Sequence, residues 1–426
     1  MHLIFESMQN ISKNERKFWK MIEKRFIVEK YEYLYTILYH FIVLVFHWVI
    51  ILNKHILFVL DYYLPHKGWS ETVFEAIISR LQEKWYDISV LASRHDVFLP
   101  TYEEKDHLRI YRTGRGRIGF MFAALFKGIH ILRDHPEISL IHTSTYGGAI
   151  PASLLGIFFH KRVVLTVHEI FGKLWMKYKG RFFGTIYRIF ERMIFRCPYD
   201  VYHCVSYYTM NSIRMVYRVP EHKIAMIYNG VDTSFWDPHQ VSSAKIKSRK
   251  ESHHRENRFV VMYYGHAGKS KWLDTLVAAL SELVTIDPRL LVVINLIASK
   301  RTQYIEEKIK KLHLWSSVQL YRGREKNDLR IAVASCDMII APSLSEGFGS
   351  VHTEAVAMGK PLLTTYVASL PEVVWGNARF IPPTSKREII QAIIERDHRI
   401  GNPDYTIPRK DFSRSTTVRE LIKLYR

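Results

Sequence analysis

The chain has 426 residues, long for one hydrophobic core and suited to two domains. Its 48% hydrophobic residues exclude a disordered chain, and basic residues outnumber acidic ones by 20. That excess points to an anionic partner: nucleic acid, phosphorylated substrate or membrane surface.

Cys197, Cys204 and Cys336 fit no disulfide framework and no metal spacing, so a reducing cytosol is expected. Residues 1–30 carry seven Lys/Arg and four Glu. The run 33–53, "YLYTILYHFIVLVFHWVIILN", carries no formal charge and is about long enough to span a bilayer. No small-residue cleavage site follows it, and the leading segment is too long for a signal peptide. Spanning, lying in the interface and packing on the protein body all fit this run. Positive-inside bias would hold the N-terminus in the cytosol, and a single span would then export everything after it. An interfacial or re-entrant helix is therefore expected, at the cytoplasmic face of the membrane.

After Lys54, "HILFVLDYYLP" reads as a strand, and "SETVFEAIISRLQEK" has helical spacing. "YDISVLA", "SLIHTST", "RVVLTVHE", "DVYHCVS" and "IAMIYNG" follow as strands, separated by helical stretches. Residues 238–258 are polar, basic and without apolar periodicity, so they are expected to be a linker. The alternation then restarts with "RFVVMYYG", "LLVVINLIAS", "SVQLYRG", "CDMIIAPSL" and "PLLTTYV". The expected fold class is α/β, with two doubly wound parallel-sheet domains of residues 55–237 and 259–410 after an N-terminal extension, 1–54.

Ligands of such sheets bind beyond the C-terminal strand ends. There, "SEGFGSVHTE" follows the strand "CDMIIAPSL" and opens a helix. Gly347 and Gly349 let backbone amides approach an anion, and the helix start adds unpaired N–H groups. Glu346 and Glu354 would repel a phosphate but suit hydroxyl groups. Phosphate and diol sites together describe a nucleotide sugar.

This stretch resembles the E-x7-E block of the retaining glycosyltransferases of family 4, the group 1 glycosyltransferases with the GT-B architecture. The resemblance extends over "APSLSEGFGSVHTEAVAMGKPLLTT", "YYGHAGKSKWLDTLVAAL", "VVLTVHE", "IYNGVD", "LPEVV" and the closing "DFSRSTTVRELIKLYR". It implies two Rossmann-like domains facing a central cleft, with a terminal helix (411–426) crossing back to the first. It also implies roles. Glu354 would hold the donor ribose, and Glu346 would contact the transferred sugar. Lys271, His266 and the backbone of Gly347, Phe348, Gly349 and Ser350 would meet the diphosphate, with Gly68 nearby. His168 would face the sugar from the first domain.

Departures from the family pattern question the donor more than the reaction class. His266 stands where Arg is usual, and Lys269 is a candidate second cation. Trp69, Trp272, Ala368 and Ser369 replace glycines. No cofactor or obligatory metal is implied; His253-His254 sits in the expected linker. His142 is a candidate border of the acceptor cleft. Residues 171–196, basic and aromatic with a single acid, suit anionic lipid beside a lipid-linked or glycan acceptor. A scaffold that binds sugar nucleotides without transfer and a sugar-nucleotide epimerase are the alternatives. A basic nucleic-acid-binding protein is a remote alternative on charge alone; no nucleic-acid-binding signature accompanies the charge, so nucleic acid is not an expected partner.

Overall fold

The computed structural model describes residues 55–395 and 406–426, apart from 67, 254, 297–299 and 323–324. The apolar run 33–53, the side chain of Trp69 and His254 lie outside the described residues. His55–Arg426 form one compact unit.

The first sheet holds β1 (His55–Leu60), β2 (Asp87–Ser93), β3 (Tyr102–Lys105), β4 (Leu108–Thr113), β5 (Ile138–Ser144), β6 (Arg162–Val167), β7 (Val201–Cys204) and β8 (Ile224–Met226). Their order is β3-β4-β2-β1-β5-β6-β7-β8. The second holds β9 (Phe259–Gly265), β10 (Leu290–Leu296), β11 (Val318–Tyr321), β12 (Met338–Ala341), β13 (Leu362–Thr365), β14 (Gly376–Ile381) and β15 (Thr406–Ile407). Their order is β11-β10-β9-β12-β13-β14-β15. The central strands are apolar throughout because helices cover both faces. β1 and β10 are buried at every position. Chain order reverses between β1 and β5 in one sheet and between β9 and β12 in the other, so each sheet has its ligand crevice there.

The sheets are mixed rather than purely parallel. β3 runs antiparallel to β4, and β15 antiparallel to β14. Both are edge strands; β3 and β4 are joined by a short return, whereas helix Lys386–Ile394 lies between β14 and β15 in the chain. Asp106 turns the β3–β4 hairpin with φ +53°.

The expected linker 238–258 contains a helix, Ser243–Ser252, which packs on helix Lys326–Ala334. No Gly or Pro interrupts it, and its C-terminal end is tied down. Arg249 pairs with Asp328 at 2.5 Å, and buried Arg255 donates to Gln319 Oε1 at 2.9 and 3.1 Å. Pattern analysis failed here because cations, rather than apolar residues, fasten the segment.

The terminal helix, Arg414–Tyr425, packs on helix Trp69–Gln82 and places Val418 and Leu421 in the same core as Ile56, Phe58 and Phe74. His142 is fully buried within β5 and does not border a cleft, contrary to expectation. Its Nδ1 lies 2.7 Å from the Tyr425 hydroxyl and its Nε2 2.7 Å from Thr166 Oγ1, which in turn lies 2.9 Å from His203 Nδ1. Burial, with His203 and His168 alongside, pushes the His142 pKa well down, so a neutral ring bonds the terminal helix to the sheet. Tyr425→Phe should leave a buried ring nitrogen unpaired and cost about 1–2 kcal/mol. Urea denaturation of variant and wild type measures this; equal midpoints would contradict it.

Candidate active site

The loops after β9 and β12 meet where the strand order reverses. Leu344 N donates to Ser270 O at 2.6 Å, which brings the turn Lys269–Lys271 against the loop that carries Glu346. Lys271 Nζ donates to Glu346 Oε1 at 2.5 Å, and Ser343 Oγ donates to the same oxygen at 2.6 Å. The Glu346 carbonyl accepts from Ser369 N and Oγ, so residue 369 holds the loop through its hydroxyl. Burial pushes the Glu346 carboxyl up, but Lys271, His352 and Ser343 together hold it below its ordinary range. It is an ionised carboxylate beside one ammonium.

The loop then packs on the first domain. A Cβ at residue 347 would lie 1.6 Å from the His168 carbonyl oxygen, so only glycine fits. Gly349 adopts φ +81° at the N-cap of helix Ser350–Ala357. Ser345 Oγ donates to Glu169 Oε1 across the same seam. Farther along, Glu372 accepts from Tyr207 N at 3.0 Å and Tyr208 N at 2.9 Å, at the start of helix Tyr207–Tyr217. A carboxylate of one sheet thus caps a helix of the other.

His168 follows β6 and is buried, edge-on to Phe74 at 5.8 Å between ring centres. Burial and the nearby His203 push its pKa down to about 3, so the ring is neutral near pH 7. Glu169 is held differently. Burial pushes it up to about 7, Lys271 pulls it down and Glu346 pushes it up.

The structure gathers Lys271, Glu346, Gly347 and His168 into one place. His266 is exposed beside it. Loss of solvation against its neighbours, then the cations of Lys271 and Lys179, lower its pKa. Lys269 is exposed on the same turn. Phe348 is a core side chain, packed 5.6 Å from Phe412, so only its backbone remains for a ligand. Glu354 and Ser350 line a small neighbouring pocket with Thr72, Asp232, Arg414 and Thr417. Burial pushes Glu354 up to about 7 against Lys326 and Arg414. Gly68 caps helix Trp69–Gln82, and a Cβ there would lie 2.1 Å from the Glu71 carboxylate.

Sequence reasoning missed Glu169, although an acid at a strand's C-terminal end is a candidate on position alone. It also missed Glu191, the single acid of 171–196. This fully buried carboxylate accepts from Tyr217 Oη at 2.6 Å, Gly172 N at 2.8 Å, and Phe171 N and Tyr146 Oη at 3.0 Å. It thereby fixes the loop after His168. The signal was its spacing, because Glu191 shares a helix face with buried Ile194 and Phe195.

Two family models cover most of this unit: "Glycosyltransferase Family 4" matches residues 70–235, and "Glycosyl transferases group 1" matches 244–396. The chain belongs to the group 1 glycosyltransferases of family 4. Among its glycosyltransferase relatives is the O-antigen chain mannosyltransferase RfbU of Salmonella typhimurium. The two are 25% identical over 54% of this chain and 59% of that one. The chain spans only 43–59% of the length of three curated relatives. A glycosyltransferase from Rickettsia africae superposes with a TM-score of 0.68 at 17% identity, covering 88% of this chain and 98% of that one. Anabaena HepE, solved with UDP-glucose, superposes with a TM-score of 0.67 at 17% identity, covering 87% and 98%. The glycosyltransferase fold is GT-B, with the cluster described above at the seam of its two sheets.

Glu169 carries a stability consequence. Its folded pKa of about 7 lies above the ordinary 4.5. Stability is therefore full below the unfolded value and falls as pH rises through about 7. Glu169→Gln removes that loss. The variant should gain on wild type between about pH 5 and pH 8 by on the order of 2–3 kcal/mol. Denaturant titrations across that range test it, and a pH-independent difference would count against it.

Proposed function

We propose that the protein is a retaining glycosyltransferase that moves a sugar from a nucleoside diphosphate donor to an acceptor at an anionic membrane surface. The Lys271–Glu346 pair, set at the strand-order reversal and covered by His168–Glu169, carries this reading. Relatives and neighbours that transfer sugars or hold UDP-glucose support it.

In this reading the diphosphate lies against the backbone N–H groups that open helix Ser350–Ala357. Lys271 turns from Glu346 towards it, Lys179 adds positive charge beside it, and the neutral His266 ring offers an N–H donor. Positive charge and N–H groups gathered there stabilise the leaving group, and no metal is required. Glu346 and the neutral His168 ring contact the sugar, while Glu354 holds the ribose. The acceptor oxygen bonds to the anomeric carbon on the face that the phosphate oxygen leaves. The leaving phosphate oxygen takes the acceptor proton, so the anomeric configuration is retained.

The surface beside the site supports the lipid reading. Helix Arg181–Arg196 buries Gly184, Glu191, Ile194 and Phe195 and turns its other faces outward. Phe182 is 73% exposed and Phe183 60% exposed, among Arg181, Arg188 and Arg192. Ile118, Phe122 and Phe126 form a second exposed stripe, along helix Gly116–Asp134. Exposed aromatic and basic residues together suit the headgroup region of anionic lipid. No helix among the described residues is long and apolar enough to cross a membrane.

The full chain, incubated with sugar nucleotides and a lipid extract, should release nucleotide and yield a product with a retained anomeric centre. Binding without product would favour a scaffold, and an isomerised donor would favour an epimerase. Glu346→Gln should lower kcat by about 10²–10³ with little change in donor affinity. A wild-type rate would remove Glu346 from the site. For the surface, Phe182→Glu with Phe183→Glu should reduce partition onto phosphatidylglycerol vesicles by at least about tenfold. Unchanged sedimentation with vesicles would exclude this helix as the contact.

A further inference from the structure

At the opposite end of the first sheet, away from the strand ends that face the cleft, three side chains converge on one point. His55 opens β1, His135 caps the end of helix Gly116–Asp134, and Glu137 precedes β5. His55 Nδ1 lies 3.0 Å from Glu137 Oε1, and His135 Nδ1 lies 3.1 Å from the same oxygen. The three atoms are all within 4.8 Å of one another. Two imidazole nitrogens directed at one carboxylate oxygen form the donor set of a borderline divalent cation.

The geometry points to a zinc-binding site formed by His55, His135 and Glu137, independent of sugar transfer. In a tetrahedral zinc site with bonds of about 2.0–2.1 Å, neighbouring ligand atoms stand about 3.3 Å apart. The observed 3.0 and 3.1 Å differ from that by a few tenths of an ångström. The outer contacts are in place as well. His55 Nε2 lies 2.9 Å from Ser89 Oγ, and His135 Nε2 lies 3.1 Å from the Tyr111 hydroxyl. Each ring can give its Nε2 proton to that hydroxyl oxygen, which leaves the Nδ1 lone pair for the metal.

Glu137 is half-exposed, which leaves the fourth position to water. Two nitrogens and one carboxylate oxygen suit zinc and disfavour magnesium, which takes oxygen ligands in octahedral geometry. The ion would tie the start of β1 to the end of helix Gly116–Asp134 and the start of β5. Sequence spacing alone does not reveal the site, because residues 55, 135 and 137 come from three different elements.

The test uses the untagged full chain, metal-stripped and then titrated with zinc against a chromophoric chelator. Wild type should bind about one zinc per chain at this site. Zinc at about 100 times its Kd should raise Tm by roughly 3–5 °C, whereas magnesium should not. Glu137→Gln keeps the shape and hydrogen-bonding capacity of the side chain, so the metal-free variant should fold with nearly unchanged Tm. Its zinc affinity should fall at least about tenfold, and that of His135→Gln likewise. Equal zinc affinity and equal zinc-induced Tm rise in wild type and Glu137→Gln would overturn the assignment. So would the absence of zinc binding to wild type, which would leave a hydrogen-bonded triad.

Discussion

The seam between the sheets depends on one missing methyl group. With no Cβ at Gly347, the loop after β12 lies directly on the carbonyl of His168. Backbone meets backbone, and the residues on either side are drawn in with them. Glu346 precedes the glycine and Glu169 follows the histidine, so two carboxylates from different sheets share one enclosure. Lys271 is the cation between them, with Ser343 and Ser345 as neutral donors. One ammonium cannot offset two carboxylates, one buried and one partly buried. The excess resolves by division: Glu346 takes the lysine and stays ionised, while Glu169 shifts to about 7 and shares a proton with solution.

That division explains why so basic a chain keeps acids at its centre. Glu191 and Glu346 are buried, and each is satisfied by several donors. The cations of helix Arg181–Arg196 stay outside. The two halves of this helix are coupled, because the face that buries Glu191 to hold the loop after His168 leaves Phe182 and Phe183 nowhere to pack. Positioning the His168 loop and presenting an aromatic, basic surface are thus two consequences of one helix orientation.

Most of the architecture was legible because apolar strands alternate with amphipathic helices, and that pattern is local. β1, β2, β5 to β7 and the central strands of the second sheet all follow it. The hairpin β3–β4 was not legible. Its strand "YEEK" is mostly exposed, so no apolar alternation marks it. Helix Ser243–Ser252 was missed for a related reason, since Arg249 and Arg255 anchor the segment through polar partners that lie 60 to 80 residues away. The E-x7-E spacing located Glu346, but spacing could not show that Phe348 turns into the core or that Glu354 lines a different pocket from Lys271. Side-chain direction across a seam is a tertiary property. His142 illustrates the converse: a histidine on a strand near the cleft has the right composition for a site, yet both its nitrogens are occupied by Tyr425 and Thr166.

The lost family glycines leave a physical trace. Trp272 keeps φ +54° and Ala368 φ +49°, the left-handed conformation that glycine adopts without penalty. A side chain there costs about 1–2 kcal/mol. At Trp272 the cost is offset, because the indole packs partly buried against the core beneath helix Leu273–Ile286. Ala368 has little side chain to bury. Its strain is held by its neighbour Ser369, whose amide and hydroxyl both donate to the Glu346 carbonyl. The substituted positions flank the two residues that form the central ion pair, Trp272 next to Lys271 and Ala368 next to the serine that grips Glu346. Replacing glycine there stiffens the backbone on both sides of the pair.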